Sequence, residues 1–162
     1  MTPQIYRHYE GRYVIAFGFV DSGDGQMVLY QDILSGKLHV MTEARWEEFV
    51  GPAMSGTRRF KLVKPLPCLS AGGNTLVVHC KKAPYDIYIG RPSPWGNPYK
   101  VDKMSRAEAI EKYAGHLIED PWLLTHLYEL QGKVLGCYCK PEACHGDILA
   151  RLVNSYNISA SL

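Results

Sequence analysis

The chain has 162 residues, 46% of them hydrophobic and 21% charged, which suits one ordinary domain or two small ones and excludes a largely disordered protein. Eighteen basic against sixteen acidic side chains leave a net charge of +2, scattered along the chain and not gathered into a patch, which argues against a nucleic-acid partner. No run approaches the eighteen apolar residues of a membrane span, and "MTPQIYRHYEGRYV" has no apolar leader core, so the expected location is cytoplasmic and no membrane partner is expected. Five cysteines, three of them within eight residues, read as thiols of a reducing compartment and not as a secreted disulfide framework.

Residues 1–52 read as a small all-β module. "YVIAFGFV" (Tyr13 to Val20) and "MVLYQDI" (Met27 to Ile33) are β-branched and aromatic, and "DSGDGQ" between them is turn chemistry, which together predict a hairpin. "KLHVMT" (Lys37 to Thr42) predicts a third strand, and "EARWEEFV" a short helical cap with Trp46, Phe49 and Val50 inward. Tyr6, His8, Tyr9, Tyr13 and Tyr30 form an aromatic group that suits the core of a small SH3-like barrel better than a binding face. Residues 53–73 hold most of a glycine- and proline-rich stretch and read as a linker, with a strand at "RRFKLV".

From residue 74 strands alternate with helices, which predicts an α/β domain over 74–156 and a short tail at 157–162. "TLVVHC" (Thr75 to Cys80) and "YDIYIG" (Tyr85 to Gly90) are strand-length apolar runs. Ser105 with Glu108 has the spacing of a capping box, ahead of a stripe at Ala109, Ile110, Tyr113 and Leu117, and Asp120 with Pro121 starts a second helix. "KVLGCYC" is a strand and "GDILARLVN" a closing helix that begins near His145 or Gly146.

Two loops carry the candidate chemistry. "CKPEACHGD" joins a strand end to a helix start, where ligands sit in open α/β sheets and free N–H groups attract anions. Cys139 or Cys144 could be a nucleophile there, or a small buried apolar residue like Cys137. His145 and Asp147 could act as acid and base, or cap the helix. A zinc clip is the competing idea: Cys137 and Cys139 would share one face of a strand, but Cys144 and His145 would diverge by about 100° on a helix. No metal and no cofactor are therefore assigned.

In "GRPSPWGNP" (Gly90 to Pro98) three prolines and two glycines fix the backbone, as a preorganised site needs. Arg91 could bind a phosphate, Trp95 could stack on a base and Asn97 could read a polar edge; otherwise they are a surface charge, a core plug and a turn residue.

The segment from Thr75 to Val153, with "YDIYIGRPSPWGNP" and "GKVLGCYCKPEACHGDILA", closely resembles the family called domain of unknown function 4326. "CYCKPEACHGDILA" more distantly resembles family 488, whose CHR triplet here has Gly146 in place of its arginine. "YRHYEGRYVIAFG", "VLYQD" and "RWEEFV" resemble the small β family 1653, with "MTEARW" in place of its usual Arg-Pro. The resemblance implies a phage or bacterial setting and a small Rossmann-like, three-layer domain that handles nucleotides or nucleosides. The expectation is a nucleotide-handling protein, as an enzyme a hydrolase or transferase at an N-glycosidic or phosphate bond of an ADP-ribose-like molecule. Asp147, His145 and Cys144 would carry catalysis. Arg91, Trp95, Asn97, Cys139 and Gly146 would hold a small-molecule nucleotide or nucleoside derivative, with homo-oligomerisation left open. The alternatives are a phage counter-defence protein that sequesters a signalling nucleotide, and a zinc-stapled interaction module.

Overall fold

The computed structural model describes residues 4–8, 12–21, 25–50, 60–65 and 73–160. The chain divides into two units, residues 1–68 with 158–162 and residues 69–157, each with its own sheet.

The first unit is an open antiparallel sheet of β1 (Gln4–His8), β2 (Tyr13–Asp21), β3 (Gln26–Asp32), β4 (Leu38–Thr42) and β5 (Phe60–Pro65), in the order β4-β3-β2-β1-β5. β4 and β5 are its edges, and no ladder joins them among the described residues, so the sheet does not close into the expected barrel. Helix α1 (Glu43–Val50) follows β4 directly, and Thr42 Oγ1 accepts from Arg45 N at 3.4 Å. α1 turns Trp46 onto a core of Val14, Ala16 and Val28, packed by Tyr6, Tyr30 and Met41. The edge of Tyr6 meets Trp46 at 5.1 Å between centroids, and Tyr30 lies 5.5 Å from it, so the aromatic group is a core built around one indole. Tyr9, the centre of the 21–26 turn and the side chains of His8, Phe49 and Val50 lie outside the described residues. The strand expected near "RRFKLV" runs over Phe60–Pro65 and pairs with β1, so this part of the expected linker belongs to the first sheet. A sequence pattern shows that a strand exists; its partner, more than fifty residues away, is a tertiary fact.

The second unit is α/β. β6 (Leu76–His79), β7 (Ile87–Tyr88) and β8 (Val134–Cys137) form a parallel sheet with β8 in the middle. The connection from β6 to β7 is only residues 80–86, too short for the usual crossover helix. Tyr85 in this connection lies against Gly136, where a Cβ would stand 2.5 Å from the ring. A side chain at 136 would therefore push the connection off the sheet.

Helix α2 (Arg106–Glu119) starts at Ser105, whose Oγ accepts from Glu108 N at 3.2 Å, while the Glu108 carboxylate pairs with Lys112 at 3.1 Å. It buries Ala109, Tyr113, Ala114, Leu117 and Ile118, and leaves Ile110 half-buried. Asp120 ends α2 and begins α3 (Pro121–His126), its carboxylate accepting from Trp122 N at 2.8 Å and Leu123 N at 3.2 Å. A 3-10 turn (Leu127–Leu130) leads to β8, and α4 (His145–Ala160) closes the unit, running through most of the expected tail. Asn154 of α4 holds Thr75 by two bonds, accepting from its N–H at 2.8 Å and donating to its carbonyl at 3.0 Å, which fixes the start of β6. Among the described residues no helix is long and apolar enough to cross a membrane.

Two stability outcomes follow from these contacts. Trp46→Ala should lower the unfolding free energy of the first unit by about 3–5 kcal/mol in denaturant titration, because one indole fills its core. Gly136→Ala should cost about 1–3 kcal/mol. Much of that cost should disappear in a Tyr85→Ala background; strictly additive losses in the double mutant would show that the Tyr85–Gly136 approach is not the constraint.

Candidate functional site: a cationic cavity over a thiol and imidazole cluster

Because β7 and β8 are parallel, the loops that leave them emerge at the same edge of the sheet. Loop 90–98 is tied down by turns, with Ser93 N donating to Gly90 O and Gly96 N to Ser93 O, each at 2.9 Å. α2 fastens it from outside: Asn97 Nδ2 donates to the Ala109 carbonyl at 3.1 Å, and the Tyr113 hydroxyl to the Trp95 carbonyl at 2.9 Å. Asn97 Oδ1 also accepts from Tyr99 N at 2.9 Å.

Between the two loops and the start of α2 lies a cavity of about 580 Å³. Arg91, Arg106 and Lys140 line it, with Tyr88, Tyr99 and Tyr138 among its walls, Glu142 as its carboxylate, and Asn97, Cys137, Cys139 and His145 also in the lining. Arg106 gives one N–H to the Ala143 carbonyl at 3.3 Å, so the first turn of α2 is tied to the cysteine loop and the rest of the guanidinium is left for other acceptors.

The cysteine loop ends in a cluster. One sulfur each from Cys137, Cys139 and Cys144 and one ring nitrogen of His145 all lie within 4.8 Å of one another. Cys144 is the last residue before α4, outside helical geometry, so its side chain and that of His145 converge where two adjacent helical residues would diverge. The divergence expected of this pair is thereby corrected. His145 Nε2 donates to the Ile89 carbonyl at 2.9 Å, an acceptor that requires a proton on Nε2, and Nδ1 lies 3.9 Å from Cys144 Sγ. Gly146 N donates to the same sulfur at 3.3 Å. Hydrogen bonds from Cys137, Cys144 and His145 hold the Cys139 thiol far below its ordinary value. Its bonds to Cys137 and Cys139, with burial, push Cys144 up. Burial alone would lower His145, but hydrogen bonds shared with Cys137, Cys139 and the Ile89 carbonyl carry it up to about 9. The cluster thus gathers three soft sulfur donors and an imidazole at the cavity.

Arg91, Asn97, Cys139 and His145, expected at the site, all line the cavity. Trp95 does not: it is 4% exposed and packs 5.9 Å from Trp122, so its ring faces are core surface and not a stacking platform. Gly146 is buried and its N–H is engaged by Cys144, so it offers no anion a donor. A Cβ there would stand 2.5 Å from Ile89 Cδ1, and the glycine serves close approach of α4 to the sheet. Asp147 caps its own helix by accepting from Cys144 N at 3.1 Å and pairs with Lys140 at 2.6 Å, which is dipole complementation and not a free base. Cys144 is 1% exposed and is not among the residues that line the cavity. Arg106 and Lys140 were missed by the sequence reading. Arg106 carried a signal, since a cation in a first helical turn opposes the dipole and calls for another reason to be there.

Residues 76–155 match the family described as domain of unknown function (DUF4326). The chain is 40% identical over 89 residues to the uncharacterized 12.4 kDa protein in the nrdA-td intergenic region of enterobacteria phage T4, covering 52% of this chain and 82% of that one. It is 30% identical over 98 residues to uncharacterized protein R718 of Acanthamoeba polyphaga mimivirus, covering 49% of this chain and 71% of that one. No solved structure matches. With the cysteine loop and the proline loop both inside the matched span, the chain belongs to the domain of unknown function 4326 family.

Proposed function

We propose that the second unit binds an anionic nucleotide or nucleoside derivative in the cavity between the two loops, acting as a small Rossmann-like domain. The observation that carries this reading is a cavity of about 580 Å³ at the carboxyl edge of a parallel sheet, with two guanidinium groups and an ammonium among its lining. That is the volume of a small-molecule site and the position where open α/β sheets take ligands. Arg91 and Arg106 supply planar donors suited to phosphate oxygens. Tyr88, Tyr99 and Tyr138 supply rings against which a base or ribose can lie.

Retention of the ligand is better supported than turnover. Two of the side chains expected to do acid and base work are engaged in structure: Asp147 by Lys140 and the Cys144 N–H, and His145 by the Ile89 carbonyl and the sulfurs. A sequestering protein needs charge and shape complementarity and no free base, which is what the lining supplies. Hydrolysis or transfer at an N-glycosidic or phosphate bond is the second reading, and Glu142 is the one carboxylate of the lining that it could use.

A thermal-shift and calorimetric screen of the full chain at fixed salt against nucleosides, nucleoside phosphates and ADP-ribose derivatives tests this. A phosphorylated member should bind, adding about 2.7 kcal/mol of stability at a hundred times its dissociation constant. Arg91→Ala and Arg106→Ala should each weaken it by roughly tenfold or more, as loss of a charge-assisted hydrogen bond does. Ligand recovered intact after denaturing the complex supports retention, and altered ligand supports turnover. A panel without a binder, or one whose binder ignores both arginine replacements, would overturn the proposal.

A further inference from the structure

We infer that Cys137, Cys139, Cys144 and His145 form a closed, tetrahedral site for one thiophilic divalent cation, zinc, beneath the cavity.

The geometry fits the ion. Zinc bonds of about 2.3 Å to sulfur and 2.0–2.1 Å to nitrogen place tetrahedral sulfurs about 3.8 Å apart and a sulfur and a nitrogen about 3.6 Å apart. The four donor atoms lie within 4.8 Å of one another, and Cys144 Sγ and His145 Nδ1 are 3.9 Å apart, so small side-chain movements complete the sphere. Three sulfurs and an imidazole are soft donors that favour zinc over magnesium or calcium.

The surroundings prepare the donors. The Ile89 carbonyl holds the Nε2 proton at 2.9 Å, which turns Nδ1 toward the sulfurs in the manner of an outer-shell partner that fixes the tautomer of a ligating histidine. The Gly146 N–H at 3.3 Å from Cys144 Sγ stabilises charge on that sulfur. Cys137, Cys144 and His145 are each no more than 4% exposed and Cys139 is half-buried, so the ion would be largely shielded from water. Binding releases the thiol protons and any proton on Nδ1 to solvent, leaving thiolates and a neutral imidazole around the cation.

With four protein donors the ion has no open position and its role is structural. It joins the end of β8, the loop after it and the first residue of α4, which are the elements beneath the cavity. This site stands independently of the ligand reading, since Arg91 and Arg106 contribute no donor to it.

Full-length protein purified without chelator should carry one zinc per chain by mass spectrometry of its metals. Cobalt in its place should give thiolate charge-transfer absorption and the intense visible bands of a tetrahedral ion. Of the five cysteines in the chain, three should be protected from a thiol reagent until a chelator is added. Cys139→Ser and His145→Ala should reduce bound metal to traces, and Cys80→Ser, whose sulfur lies outside the cluster, should leave it at one per chain. Should the ligand variants fail to fold, the wild-type cobalt spectrum decides alone. Metal-free protein that takes up no cobalt, cobalt bands of an octahedral ion, or a disulfide between two of the three clustered cysteines would overturn the inference.

Discussion

Helix α4 meets the parallel sheet at its first turn, and the bond from His145 there to the Ile89 carbonyl sets where the thiol and imidazole cluster lies. A Cβ on residue 146 would stand 2.5 Å from Ile89 Cδ1 and 3.0 Å from Val77 Cγ1, so glycine lets the helix start settle on β6 and the end of β7. From that position His145 reaches the Ile89 carbonyl and the Gly146 N–H reaches Cys144 sulfur. A helix start displaced from the sheet would lose the His145–Ile89 bond, whereas the local Gly146–Cys144 bond would move with it. Packing density makes such a constraint sharp, because a filled interior does not absorb an added methyl without moving something.

The same approach decides which charges face the cavity. Asp147 lies one residue past Gly146, where it caps α4 and pairs with Lys140. The one carboxylate close to the cluster is thus neutralised by an ammonium that also lines the cavity. Glu142, which is exposed, is the one carboxylate in the lining beside Arg91 and Arg106, and the side chains there lean toward positive charge. The Arg106 bond to Ala143 couples the start of α2 to the cysteine loop, so the two walls are held as one frame.

Much of this arrangement can be read in the sequence, where short-range chemistry decides it. Ser105 and the Asp120–Pro121 pair mark helix starts because capping is a matter of residues two and three positions away. The apolar run at Val134–Cys137 marks a buried strand, and strands that alternate with helices bring loops 90–98 and 138–144 to one edge. The rest depends on partners far along the chain. Nothing local says that β5 pairs with β1, or that Trp95 points inward, since side-chain direction in an irregular loop has no period. Cys144 and His145 were misjudged by applying helical spacing to a residue one position outside the helix. A boundary uncertain by a single residue is enough to turn a converging pair into a diverging one.

The cluster and the cavity also constrain each other. A cation held by four protein donors offers no open position, so a ligand above it would meet side-chain charges and rings before the ion. The divalent ion would offset two of the three thiolate charges, which weakens the sulfur field beneath Arg91, Arg106 and Lys140. With the sulfurs charged and no cation present, their field would oppose an anionic ligand in the same space. A cationic cavity over three cysteines suits an anion best when something else compensates the sulfur charge, and the orientation of His145 by Ile89 turns Nδ1 toward those sulfurs.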